Sequence, residues 1–124
     1  MHIFKSITRD YSQWSIEPSA QVDFDPAKQK LFTGDIFKTT PEFELLQSPI
    51  RESKYICGVL ILHGSKTFGK TKKGRMYYKC IPNNKNLPCF LVPYELRIGF
   101  DKNHINKYIS FTFDNWDGKH PKGI

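Results

Sequence analysis

Long apolar segments are missing from this sequence. None of its apolar runs approaches the roughly 18 residues that a membrane-spanning helix needs. The first residues, Met1 to Lys5, also lack the basic start, apolar middle and small-residue cleavage site of a signal peptide. These absences predict an intracellular protein with no membrane partner.

Cysteines are few, and their spacing is uninformative for metals. The chain has three cysteines, Cys57, Cys80 and Cys89, which cannot all form disulfides with one another, and no CxxC motif occurs. Their separations of 23 and 9 residues match no common zinc module. The sequence therefore predicts buried or half-buried thiols in a reducing compartment, the cytoplasm or the nucleus.

Acidic residues are absent from a long central stretch. None occurs between Glu52 and Glu95, so the net charge of +7 is divided into −2 over residues 1–50 and +9 over residues 51–124. Concentrated charge of one sign repels itself unless it faces an anionic partner, and phosphate backbones are the usual one. A nucleic-acid-binding surface and a merely solubilising face both fit this pattern.

The residue patterns of common catalytic sites are also missing. Metal-dependent cleavage of nucleic acids needs clustered carboxylates, and the segment Asp114–Gly118 lacks the further oxygen ligands of a calcium loop. No glycine-rich phosphate loop occurs, and no histidine has a motif spacing to a serine or cysteine nucleophile. The sequence predicts a non-enzymatic chain without a cofactor of its own.

Aromatic residues are plentiful, and strand signals dominate after residue 54. Ten Phe, six Tyr and two Trp supply enough apolar area for a compact core. Strand patterns occur at residues 55–63, 65–71, 75–81, 89–93 and 107–113, and Gly58 inside the first predicts a bend. These signals predict a mainly β fold, a small five-stranded OB-type (cold-shock-like) barrel over residues 49–124 with a β-rich N-terminal arm over residues 1–48.

Cations alternate with aromatic rings along the second and third predicted strands. Residues at i, i+2 and i+4 of a strand share one face, which would give each strand a cation, a ring and a cation on one surface. Bases stack on such rings while phosphates pair with the cations. The alternative places Phe68 and Tyr77 in the core, with Tyr78 as the exposed ring. The predicted RNA contacts are Lys66, Phe68, Lys70, Lys72, Lys73, Arg75, Tyr77 and Lys79.

Three segments give residues 48–123 a resemblance to a known family. They are Tyr55 through Gly69, Asn86 through Pro93, and Tyr108 through Trp116 followed by His120-Pro121-Lys122-Gly123. Together they resemble the second cold-shock-like OB domain of the RNase II/RNB family of 3′-to-5′ exoribonucleases, particularly its Dis3-like branch. The third segment, which contains the closing strand, its Trp and the Pro-x-Gly motif at its end, is the most specific of the three.

The resemblance implies a domain that guides single-stranded RNA into an RNB catalytic domain. In that family an aspartate cluster with Mg²⁺ performs hydrolysis, and no residue here matches that cluster. The sequence ends at Ile124, where the RNB domain would begin. We therefore expect either a piece of such a nuclease or an independent binding module. A protein–protein adaptor is the main alternative, and a metal-dependent nuclease a weaker one.

Overall fold

The computed structural model describes residues 1–20, 22–95 and 105–124, and over these it is mainly β, as the sequence predicts. The chain forms two compact units. Unit 1 comprises Met1–Ser53 and Asn84–Pro88, and unit 2 comprises Lys54–Asn83 and Cys89–Ile124. The first unit boundary follows Ser53. In the described part of the chain, no helix is long and apolar enough to cross a membrane.

Unit 1 contains a four-stranded sheet with the order β2-β1-β3-β4. All of its pairings are antiparallel. A single helical turn follows the sheet. The elements are β1 His2–Ser6, β2 Trp14–Glu17, β3 Ile36–Lys38, β4 Glu44–Gln47 and α1 Pro49–Glu52.

The core of unit 1 contains a buried carboxylate. Asp35 is fully buried beside Phe32. Its Oδ2 accepts a hydrogen bond from the Phe32 amide at 2.9 Å, and its Oδ1 accepts one from the Ser48 hydroxyl at 2.6 Å. Burial raises the pKa of Asp35 to about 6, although these hydrogen bonds and the charge of Arg51 oppose the rise.

Unit 2 contains a six-stranded sheet with the order β8-β5-β6-β7-β10-β9. Among its described strands, only the pairing of β7 with β10 is parallel. The strands are β5 Ile56–Leu60, β6 Met76–Pro82, β7 Phe90–Tyr94, β8 Lys107–Phe111, β9 Phe113–Asn115 and β10 Lys122–Gly123.

This sheet curls back on itself as a half-barrel. The strands β8 and β9 lie at its opposite edges, yet only Thr112 separates them along the chain. Gly123 of β10 packs directly on Phe111 of β8, and a Cβ at Gly123 would overlap with Cδ2 of that ring. Phe111 in turn contacts Phe90 of β7, with ring centroids 5.0 Å apart. The curl therefore encloses an aromatic core.

One predicted strand of unit 2 does not form. The strand expected over residues 65–71 is replaced by a 3₁₀ turn at His63–Ser65 and an irregular segment. Gly64 and Gly69 have φ values of 82° and 106°, which interrupt an extended path. The segment still follows β6, since the Phe68 amide donates to the Tyr77 carbonyl at 2.9 Å and the Tyr77 amide donates to the Gly69 carbonyl at 2.9 Å.

Candidate nucleic-acid interface

Strand β6 directs alternate side chains to two faces of the unit 2 sheet. Tyr78 and Cys80 are buried toward the core, whereas Lys79 is half-buried and Ile81 is exposed. By the two-residue period of a strand, Tyr77 belongs to the face of Lys79 and Ile81. This outer face is where the predicted contact residues of β6 lie.

The residues after Gly69 form a tight hairpin that ends in β6. The Thr71 amide donates to the Arg75 carbonyl at 2.8 Å, and the Gly74 amide donates to the Thr71 carbonyl at 3.0 Å. The Arg75 amide also donates to the Thr71 hydroxyl at 3.1 Å. Gly74 has a φ of 86°, which favours glycine at the turn. The turn leaves Lys72 and Lys73 exposed at its tip.

This hairpin forms one wall of a groove of about 630 Å³ in unit 2. Four cations and one ring of the predicted set line it together. Two carboxylates, an amide and a further lysine also line the groove, and none of these four was among the predicted residues. The lining residues are Lys70, Thr71, Lys72, Lys73, Arg75, Tyr77, Pro93, Asp114, Asn115, Asp117, Lys122 and Ile124.

Tyr77 differs from the expected exposed stacking ring. Its side chain lies on the outer face, but the residue is only 8% exposed. The Nζ of Lys122 lies 5.1 Å from the ring centroid and covers it. The same ammonium lies 3.5 Å from the Asp117 carboxylate. Local sequence patterns around Tyr77 could not show this, because Lys122 comes from the distant strand β10.

The other predicted residues form a second cluster, outside the lining of the groove. Phe68 is half-buried, with the Nζ of Lys66 5.3 Å from its ring centroid and the ring of His120 at 6.2 Å. Burial lowers the pKa of His120, and the nearby charges of Lys119 and Lys79 lower it further. Phe68 and Lys79 thus lie near His120, which was not among the predicted residues, and Lys66 lies against Phe68.

Among the described residues, no group of three or more His, Cys, Asp or Glu side chains is arranged to hold a metal ion. Asp114 and Asp117 do share the groove, but Asp117 pairs with Lys122 at 3.5 Å and Asp114 accepts a hydrogen bond from the Asn115 side-chain amide at 3.0 Å. The thiols of Cys57, Cys80 and Cys89 form no disulfide.

Comparisons with known proteins add no family assignment. No protein-family model, curated protein sequence or solved structure matches the chain significantly. The functional interpretation therefore rests on the groove, its charges and the rings beside it.

Proposed function

We propose that this chain is a single-stranded RNA-binding domain, with unit 2 as an OB-type (cold-shock-like) barrel. The observation that carries the proposal is the convergence of the hairpin cations and Lys122 on one groove. The barrel assignment is supported by the curled sheet, in which β8 and β9 act as one interrupted strand between the two edges. With β5, β6, β7 and β10 this arrangement makes five strands.

Electrostatics favours a polyanion as the ligand of this surface. The groove carries Lys70, Lys72, Lys73, Arg75 and Lys122 against only Asp114 and Asp117. Each lysine or arginine that neutralises a phosphate releases a counterion, which gives binding a strong dependence on salt. Five cations would give a slope of log K against log salt of about −3.5 for a single strand.

Phe68 is the ring that supports base stacking best. It is half-buried rather than fully covered, and Lys66 lies against it. A phosphate neighbouring a stacked base would find this ammonium and that of Lys79 within the same cluster. Stacking on an accessible ring is tolerant of sequence, so we propose binding with little base preference.

The biological role follows the family resemblance. We propose that the domain guides RNA toward an RNB-type 3′-to-5′ exoribonuclease catalytic domain, and that Mg²⁺ acts only in that domain. The chain itself would be non-catalytic and would act in a reducing intracellular compartment.

A protein–protein adaptor is the second candidate function, and an exposed apolar row favours it. Ile81, Val59 and Tyr108 are register partners across β6, β5 and β8. Ile81 is 37% exposed and Tyr108 is 66% exposed. An adaptor that used this row would bind its partner with little dependence on salt, and free RNA would not compete.

The deciding experiment is a fluorescence-anisotropy titration of the full chain with a labelled 12-mer of oligo-U at several salt concentrations. We expect log K to fall linearly with log salt with a slope of about −3.5. The matched control is Lys28→Gln, which removes an exposed lysine of unit 1 and should leave the slope unchanged. Absence of binding at low salt would refute the RNA-binding function and favour the adaptor.

A further inference from the structure

We propose that Lys122 is the anchored phosphate-binding cation of the groove, and that Asp117 is the counter-ion which an RNA phosphate displaces. The inference rests on the proposed function and deepens it. It adds two residues that the predicted contact set lacks and gives them opposite effects on affinity.

The position of Lys122 is fixed by strand register. Lys122 pairs with Leu91 of β7 on one side and with Asn115 of β9 on the other. Leu91 is itself the partner of Lys79 in β6. Register partners share a face of the sheet, so Lys79 and Lys122 lie on the same outer face. Two strand spacings separate their Cα atoms by about 10 Å.

The side chain of Lys122 is oriented before any ligand arrives. It is 27% exposed, and its ammonium lies 5.1 Å from the Tyr77 ring centroid and 3.5 Å from the Asp117 carboxylate. The cation–π contact and the ion pair together restrict the long side chain. Lys122 therefore has less side-chain freedom to lose when it binds a phosphate.

The lysines at the hairpin tip differ from Lys122 in the freedom of their side chains. Lys72 and Lys73 lie exposed at the turn tip. A free lysine side chain has among the largest rotamer entropies of any residue, and binding in one geometry must overcome it. Equal charges in the same groove should therefore contribute unequally, with Lys122 contributing more than Lys72.

Asp117 is suited to being displaced. Its side chain is 74% exposed, and exposed ion pairs are weak because water screens them. A phosphate carries a full charge and several acceptor oxygens, and it can take the place of the carboxylate beside the ammonium. Until then Asp117 repels phosphates that approach the groove. Its replacement by a neutral amide should strengthen binding.

The test compares three single variants of the full chain in the anisotropy assay. We expect Lys122→Gln to weaken binding of the oligo-U 12-mer at least tenfold at low salt and to make the salt slope less negative by about 0.7. The matched control Lys72→Gln should weaken binding only about threefold. Asp117→Asn should strengthen it about threefold, and by less when it is combined with Lys122→Gln.

Two further measurements separate a phosphate contact from a structural effect. An abasic 12-mer presents phosphates without bases, and it should show the same loss with Lys122→Gln. Lys122→Arg keeps the charge over Tyr77 and should restore most of the affinity, and urea denaturation of each variant checks that unit 2 remains folded.

The possible failures are distinguishable. If the wild-type chain binds RNA with the expected salt slope but Lys122→Gln binds equally well, the role of Lys122 is overturned and the proposed function stands. If Asp117→Asn weakens binding, its role as a displaceable counter-ion is overturned. If the wild-type chain does not bind RNA at low salt, the proposed function fails and this inference fails with it.

Discussion

Gly58 and Ile81 approach each other so closely across β5 and β6 that a Cβ at Gly58 would lie 2.5 Å from the Ile81 carbonyl oxygen. The same Cβ would lie 2.8 Å from Cα of Pro82, the register partner of Gly58, and 2.9 Å from Sγ of Cys80. The sequence predicts a bend at Gly58. In the structure a glycine is needed here because backbone atoms of β6 occupy the space that a side chain would fill.

We expect Gly58→Ala to destabilise unit 2, because the added methyl group must displace backbone atoms of β6. Overpacking of this kind costs about 1–3 kcal/mol of the free energy of unfolding. Urea denaturation should show a lower midpoint. Gly118→Ala is the matched control, since a Cβ there would meet no atom within 4 Å, and equal midpoints for the two variants would contradict the prediction.

Asp35 should make stability depend on pH in the direction opposite to that of a salt-bridged carboxylate. Its folded pKa of about 6 lies above the ordinary 3.8, so between these values the folded protein holds a proton that the unfolded chain releases. Its contribution to the free energy of unfolding is full below about pH 4 and is lost as the pH rises through about 6. Asp35→Asn should therefore gain about 2–3 kcal/mol relative to the wild type between about pH 3.5 and 7.

Ser48→Ala tests the cause of that pH dependence. The Ser48 hydroxyl donates to Asp35 and lowers its pKa. Its removal should move the loss of stability to higher pH in a denaturation series. A free-energy difference between wild type and Asp35→Asn that stays constant with pH would show that Asp35 does not titrate in this window.

The hairpin tip should contribute charge to RNA binding without contributing to stability. The double variant Lys72→Gln/Lys73→Gln removes two exposed cations, and the slope of log K against log salt should become less negative by about 1.4. Titration of the oligo-U 12-mer checks the slope, and the urea midpoint should be unchanged. An unchanged slope would place the RNA elsewhere on the molecule.

Substitution of Phe68 should weaken RNA binding, whereas substitution of Tyr78 should lower stability. Phe68→Ala removes a half-buried ring beside Lys66 and should cost about 1–3 kcal/mol of oligo-U binding. Tyr78→Ala removes a ring that is 4% exposed and should instead cost about 3–5 kcal/mol of the free energy of unfolding. Equal affinities of wild type and Phe68→Ala would remove Phe68 from the RNA-binding surface.

Local patterns identified the strands whose side chains form the core of unit 2. The apolar run around Gly58 became β5, and the alternating segment after residue 106 became β8 and β9. The segment around Phe68 failed as a strand because its glycines adopt positive φ values, which composition alone does not show. Cations and rings do alternate along this segment of the sequence, but the segment does not form a strand.

The candidate site was predictable from the sequence only in part, because some of its contacts join residues that lie far apart along the chain. The charge run located the hairpin cations, and they do line one groove. The covering of Tyr77 depends on Lys122, whose place beside β7 follows from a parallel pairing that no local pattern encodes. The sequence could indicate which residues carry charge, but not which ring each charge would meet.

The loop Asn84–Pro88 belongs to unit 1 although it joins two paired strands of unit 2. Leu87 in this loop is 2% exposed, and its carbonyl accepts a hydrogen bond from Arg9 at 3.0 Å. During synthesis on the ribosome, unit 1 therefore cannot be completed until Pro88 has emerged, by which time β5 and β6 have already been made. Unit 1 therefore cannot finish folding until part of unit 2 has also been translated.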